Sequence, residues 1–248
     1  AAMLRSGLVS VTFRNLPPRE IVRLAAQAGL EAVEWGGDVH VPHGDLARAR
    51  EVRTMTADAG VTISSYGSYY HVGESPVEEF LPVLRTAQAL GSPVIRVWAG
   101  KRGSAEADAG YRRCVIDACR AMSDIAADNG IDLCFEFHGH SLTDTAESAR
   151  RLLEEIGRDN VKTYWQPPVG LTPEECLTGL EAVLPWVTNV HAYHWGSRYE
   201  RMTLAEGAAE WSRYLKKISS TGRSHFILLE FVRDDDPAVF LREAATLK

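Results

Sequence analysis

Short apolar runs and amphipathic stretches alternate along the whole chain. Residues 8–13, 32–35, 61–65, 94–98, 131–137, 161–165, 187–193 and 225–231 are brief and rich in β-branched and aromatic residues, and most are flanked by Gly, Pro, Asn or Asp. That pattern predicts strands. Residues 17–28, 45–59, 76–90, 105–129, 143–156, 172–184, 204–219 and 237–247 instead carry apolar positions at helical spacing. Gly29, Gly60 and Gly91 close three of these helices, and Thr143 or Asp144 is the expected cap of the fifth. Eight strand-then-helix units follow one another at intervals of about thirty residues. Regular βα alternation gives a parallel sheet with right-handed crossovers, and eight units in a chain of this length close into a (β/α)₈ TIM barrel. Residues 1–248 therefore read as one domain. An open doubly wound sheet is the alternative, but no G-x-G-x-x-G follows the first strand.

Composition narrows the partners. The chain is 45% hydrophobic with a net charge of -6, which suits a sizeable core and a small-molecule substrate, and argues against nucleic acid or an anionic membrane. No apolar run is long enough to span a bilayer, and no secretory leader is evident, so a cytoplasmic protein is expected, with homo-oligomerisation left open. Cys114, Cys119, Cys134 and Cys176 lack C-x-x-C spacing and read as buried, reduced thiols.

The chemistry is expected where the strands end, because barrel active sites lie at the C-terminal face. Three polar residues interrupt otherwise apolar strands: Glu136 in Leu-Cys-Phe-Glu-Phe, His191 in Val-His-Ala-Tyr and Glu230 in Leu-Leu-Glu-Phe. Any one of them has an ordinary structural explanation. Together, two carboxylates and an imidazole facing one axis require a cation between them. Oxygen ligands with one nitrogen suit Mn²⁺, with Mg²⁺ or Co²⁺ as alternatives. Other polar or aromatic residues at strand ends include Trp35, His71, Trp98, His138 and His194. These are candidates for binding a substrate, the histidines through hydroxyls and the tryptophans, Trp165 included, by stacking on a sugar face.

The motifs Phe-Glu-Phe-His at 135–138, Tyr-Trp-Gln-Pro at 164–167, Val-His-Ala-Tyr-His at 190–194 and Leu-Leu-Glu-Phe at 228–231 resemble the sugar phosphate isomerase/epimerase family of xylose isomerase-like barrels. The resemblance implies one divalent metal held by Glu136, Gln166, His191 and Glu230, with Glu136 and Glu230 also moving the proton. It implies Arg198 as a substrate arginine. Three positions depart from the family's ketose epimerases. Gln166 replaces an aspartate, and Leu142 and Val169 stand near positions that carry substrate-contacting Glu and His there. The implied activity is sugar isomerisation or epimerisation by proton abstraction beside a carbonyl, through an enediolate. The same chemistry serves elimination from a 3-keto sugar or glycoside. A non-catalytic sugar-binding subunit with a decayed site is a further alternative, while a three-zinc repair nuclease would need many more His, Asp and Glu ligands.

Overall fold

The computed structural model describes residues 3–195 and 201–230. Strands β1 (Leu4–Val9), β2 (Ala32–Gly36), β3 (Thr62–Val72), β4 (Val94–Ala99), β5 (Asp132–Phe135), β6 (Val161–Trp165), β7 (Val187–Ala192) and β10 (His225–Leu229) form a closed barrel. Every neighbouring pair is parallel, and β1 closes the ring between β10 and β2. Helices α1 (Pro18–Gln27), α2 (Leu46–Asp58), α3 (Phe80–Leu90), α4 (Ala109–Asp128), α5 (Ala146–Ile156), α6 (Pro173–Val183) and α7 (Ala208–Ser219) lie between successive barrel strands in the chain. The (β/α)₈ expectation holds. The helix expected over 237–247 lies outside the described residues.

The differences from the expected boundaries concentrate at strand ends. The first strand begins at Leu4, and Ser10–Phe13 coils into a 3₁₀ turn, where the Ser10 hydroxyl accepts from the Gly36 amide at 2.8 Å. The third strand does not stop at Ser65: it runs on to Val72, with His71 pairing Trp98 and Val72 pairing Ala99. The fifth and eighth strands end one residue before Glu136 and Glu230. A short antiparallel hairpin, β8 (His194–Trp195) with β9 (Arg201–Met202), was not expected. Helix α5 is capped by Thr145, whose side chain accepts from the Ser148 amide, and not by Thr143 or Asp144. Thr172 caps α6 with a complete capping box.

The strand period of two sorts side chains into two cores. Val9, Val94, Cys134, Tyr164 and Leu228 form a small cluster on the barrel axis. Their neighbours Leu8, Ile95, Leu133, Phe135, Trp165 and Leu229 belong to the large cluster shared with the helices. Stepping by two from the axial residues leads to Arg96 and Trp98, Glu136, Gln166 and Glu230. The alternation thus carries one file of side chains from apolar to polar toward the C-terminal mouth. Cys119, Cys134 and Cys176 are buried as expected, but Cys114 is exposed, on the outer face of α4.

Candidate active site at the barrel mouth

Glu136 follows β5 directly, and its amide donates to the Val97 carbonyl at 2.8 Å, so the backbone stays bonded to the barrel beyond the strand. The Thr143 hydroxyl donates to the Glu136 carbonyl, and the His138 amide donates to the Thr143 carbonyl at 3.1 Å. This tight loop contains His140 at φ 60, the described non-glycine residue in the left-handed region. Glu230 is held in the same manner, its amide donating to the Ala192 carbonyl at 3.0 Å. Gln166 leads into Pro167, whose carbonyl accepts from the Tyr193 hydroxyl at 3.1 Å.

His191 is fully buried, with both ring nitrogens facing carboxylates. Nε2 makes an aligned hydrogen bond to Glu34 at 3.3 Å. Nδ1 lies 3.3 Å from a Glu136 oxygen and 3.5 Å from a Glu230 oxygen, yet is aligned with neither. Arg96, also buried, bonds Glu34 at 2.7 Å through Nη1 and brings Nε to 3.1 Å of Glu136, again without alignment. Gly67 makes room for it: a Cβ there would stand 3.2 Å from three guanidinium atoms. Among the described residues, Glu230 has His191 as its ion-pair partner and Arg96 does not reach it.

The electrostatics follow from this geometry. Burial pushes the Glu34 carboxyl up, but the charges of Arg96 and His191, with hydrogen bonds from His191 and Tyr164, outweigh it and bring it to about 2. For Glu136 burial is again outweighed, by His191 and Arg96, and its value falls. For Glu230 burial wins over the pull of His191, and with repulsion from Glu136 it is pushed up to about 7. Burial lowers His191, yet Glu230, Glu136 and Glu34 together raise it well above the usual imidazole range.

Among the described residues, no three His, Cys, Asp or Glu side chains stand in a ready-made coordination shell. The donor set nevertheless fits a divalent ion. Among the described residues, His191 Nδ1 and Gln166 Oε1 are buried polar atoms without hydrogen-bond partners, which native interiors rarely tolerate. Adjacent donors about 2.1 Å from an octahedral ion lie about 3 Å apart, close to the 3.3 and 3.5 Å that separate Nδ1 from the two carboxylates. Glu136, His191 and Glu230 would hold the ion, and Gln166 Oε1 is the further oxygen on offer.

The remaining expected residues divide. Trp98 is half-buried between His71, at 5.6 Å between ring centroids, and His138, at 5.1 Å. His71 Nδ1 bonds the Gly100 carbonyl and His138 Nδ1 the Gly139 carbonyl, each at 3.0 Å. A carbonyl only accepts, so both Nδ1 atoms carry the proton, which leaves Nε2 of each neutral ring as an acceptor. The expectation that Trp35 stacks on substrate is overturned. It follows the inward-facing Glu34, so the strand period turns it outward, and it is fully buried in the core shared with the helices. Trp165 faces outward for the same reason and packs on Trp211 and Tyr214. Leu142 is buried in the core. The His194 side chain and Arg198 lie outside the described residues. Glu34 and Arg96 were missed, although each is a charge inside an apolar strand, Ala-Val-Glu-Trp and Val-Ile-Arg-Val-Trp, the same signal that marks Glu136.

A model of the xylose isomerase-like TIM barrel family matches residues 22–248, and the chain belongs to that family. It is 22% identical over 266 residues to a 3-dehydroshikimate dehydratase of Bacillus anthracis, covering 92% of this chain and 91% of that one. The crystal structure of the probable 3-DHS dehydratase AsbF of Bacillus anthracis superposes with a TM-score of 0.84 at 20% identity, over 99% of this chain and 98% of the other. The 3-keto-D-glucoside 4-epimerase of E. coli superposes at 0.76 and 15% identity, over 98% of each chain. A barrel of this kind from Mycobacterium smegmatis, solved with magnesium, superposes at 0.74 and 16% identity, over 97% of this chain and 94% of the other. These likenesses are to the fold. Among the described residues no helix is long and apolar enough to cross a membrane.

Proposed function

We propose that the protein is a divalent-metal-dependent lyase that removes a proton beside a ketone and expels water from the neighbouring carbon. Its substrate is a cyclic hydroxy-ketone of the 3-dehydroshikimate type. The observation that carries this reading is the inequality of the two carboxylates. Glu136 is engaged by Arg96 as well as by His191, whereas among the described residues Glu230 has His191 as its ion-pair partner. Epimerisation calls for two groups able to exchange a proton on opposite faces of one carbon; elimination calls for a single base and an acid for the leaving hydroxyl. Glu230, raised toward neutrality by burial, suits that base. The dehydratase relative, matched over nearly its whole length, supports the same choice.

The metal, when bound, supplies Lewis acidity against the negative charge that develops on the ketone oxygen. Glu230 takes the proton from the carbon between the ketone and the departing hydroxyl, and its carboxyl then returns that proton to the hydroxyl, which leaves as water as the new C=C bond forms. His71 and His138 offer Nε2 acceptors to the substrate's hydroxyls, and Trp98 Nε1, buried without a partner, offers a donor. Loss of water from 3-dehydroshikimate followed by enolisation gives an aromatic dihydroxybenzoate, so the step is driven by aromaticity.

Sugar isomerisation or epimerisation is the second reading. What favours it is that Glu136 and Glu230 flank one point, His191 Nδ1. Incubation of the Mn²⁺-loaded protein with 3-dehydroshikimate, followed by ultraviolet absorbance and mass spectrometry, tests the first reading. An aromatic product lighter by one water is expected. No turnover there, with solvent deuterium entering a ketose that returns as its epimer, would overturn it in favour of the second.

A further inference from the structure

We propose that Glu34 is a positioning residue, which holds the His191 ring so that Nδ1, and not Nε2, is presented to the metal. The inference rests on the reading of His191 as a ligand. Glu34 sits at the level of Ser65 across the β2–β3 ladder, fully buried. Its Oε2 accepts from the Ser65 hydroxyl at 2.7 Å and from the Tyr164 hydroxyl, and its Oε1 accepts from Arg96 at 2.7 Å. With three donors directed into it, the carboxylate has no proton of its own to give. Its fourth contact, to His191 Nε2 at 3.3 Å, is therefore made by an N–H on the ring. In the neutral ring that proton on Nε2 leaves the Nδ1 lone pair free, and Nδ1 is the atom turned toward Glu136 and Glu230.

The alignment supports the assignment. The Nε2 contact has hydrogen-bond geometry and the Nδ1 contacts do not, which distinguishes an anchored edge from an edge kept for another partner. Tyr164 adds a steric stop, with its ring edge-on to the imidazole at 4.8 Å between centroids. Metal-bound histidines are commonly oriented through the second ring nitrogen, and loss of that partner typically weakens metal binding about 10- to 100-fold. The rival assignment is that Glu34 only balances the charge of Arg96.

Glu34→Asp separates the two. It keeps the charge beside Arg96 but withdraws the carboxylate by one methylene from Nε2. In ¹⁵N spectra of the Zn²⁺-loaded, histidine-labelled wild type, the His191 proton is expected on Nε2, with Nδ1 bearing the ligand shift. Glu34→Asp should mix the two ring states and weaken Zn²⁺ binding by calorimetry at least about tenfold. The loss should vanish when the substitution is made on a His191→Ala background. A wild-type proton on Nδ1 overturns the proposal, as does a Glu34→Asp variant with unchanged spectrum and affinity. Wild-type Zn²⁺ affinity in His191→Ala alone would instead overturn the ligand reading. If Glu34→Asp fails to fold, as circular dichroism would reveal, the wild-type spectrum still decides.

Discussion

The barrel mouth has two unlike halves. Around Glu34, on β2, both carboxylate oxygens accept two donors each, from Arg96 and His191 on one side and Ser65 and Tyr164 on the other. Around Glu230, past β10, the carboxyl meets one imidazole among the described residues, and within the same set His191 Nδ1 and Gln166 Oε1 lack hydrogen-bond partners. Both halves are buried and both are ionic. The first satisfies every acceptor and holds its carboxylate ionised; the second leaves acceptors open and pushes its carboxyl up to about 7. Saturation marks a scaffold, and buried polar atoms left open mark a place kept for something else.

This contrast can be tested on stability, turnover, metal affinity and pH dependence, in falling order of expected effect. The largest effect is expected on stability. Glu34→Ala leaves the Arg96 charge buried without its best partner and should cost about 3–5 kcal/mol in urea unfolding. Glu230→Ala in the metal-free protein should cost far less, and equal losses would erase the distinction. Next comes turnover: Glu230→Gln keeps an oxygen ligand but loses the base, so the rate at saturating Mn²⁺ should drop at least about a hundredfold. Metal content should drop less than in His191→Ala. Near-normal turnover would mean that Glu230 is a ligand only.

Gln166→Asp is expected to act on affinity. In the wild type the charges of Glu136, Glu230 and a divalent ion cancel, as do those of Glu34 and Arg96. An aspartate would add a negative charge, so Mn²⁺ should bind several-fold more tightly by titration calorimetry, with slower turnover because the ion's charge is more quenched. Equal or weaker binding would remove residue 166 from the ligand set. The smallest effect is a pH slope in metal-free protein. A carboxyl raised on folding disfavours the fold once ionised, so the Glu230 penalty should be relieved as pH falls from about 7 toward 4.5. His191, raised on folding, stabilises below 6.5, and its contribution is lost at higher pH as it deprotonates. Glu34, lowered to about 2, loses its contribution only as pH falls below 4.5. Glu230→Gln should flatten the slope between 4.5 and 7 and spare the acid limb. A variant whose urea midpoints keep that slope would show that the slope arises elsewhere.

Much of this was legible in the chain. The βα alternation carries the barrel, and Glu136, His191 and Glu230 announce themselves because a charge or imidazole in an apolar run has no cheap alternative. Glu34 and Arg96 obey the same rule, but their strands are short, and the aromatic neighbours Trp35 and Trp98 lie nearer the strand ends. Parity would have separated those two tryptophans: Trp98 shares the phase of Arg96 and faces the axis, while Trp35 is out of phase with Glu34. What pattern alone does not give is the pairing itself. Arg96 chooses Glu34 and Glu136 over Glu230 through barrel register and the space left by Gly67, and these are properties of three-dimensional neighbours.

The Glu34–Arg96 pair also bears on how such a sequence can drift. The two residues are 62 positions apart and on different strands, so no single codon change removes both. Losing either one strands a buried charge, whereas an apolar pair of similar volume would spare the fold while taking the anchor from His191 Nε2. Lineages descending from this chain are therefore expected to keep both residues or to lose both, with intermediates purged, and the two alignment columns should covary more strongly than either does with its neighbours in sequence.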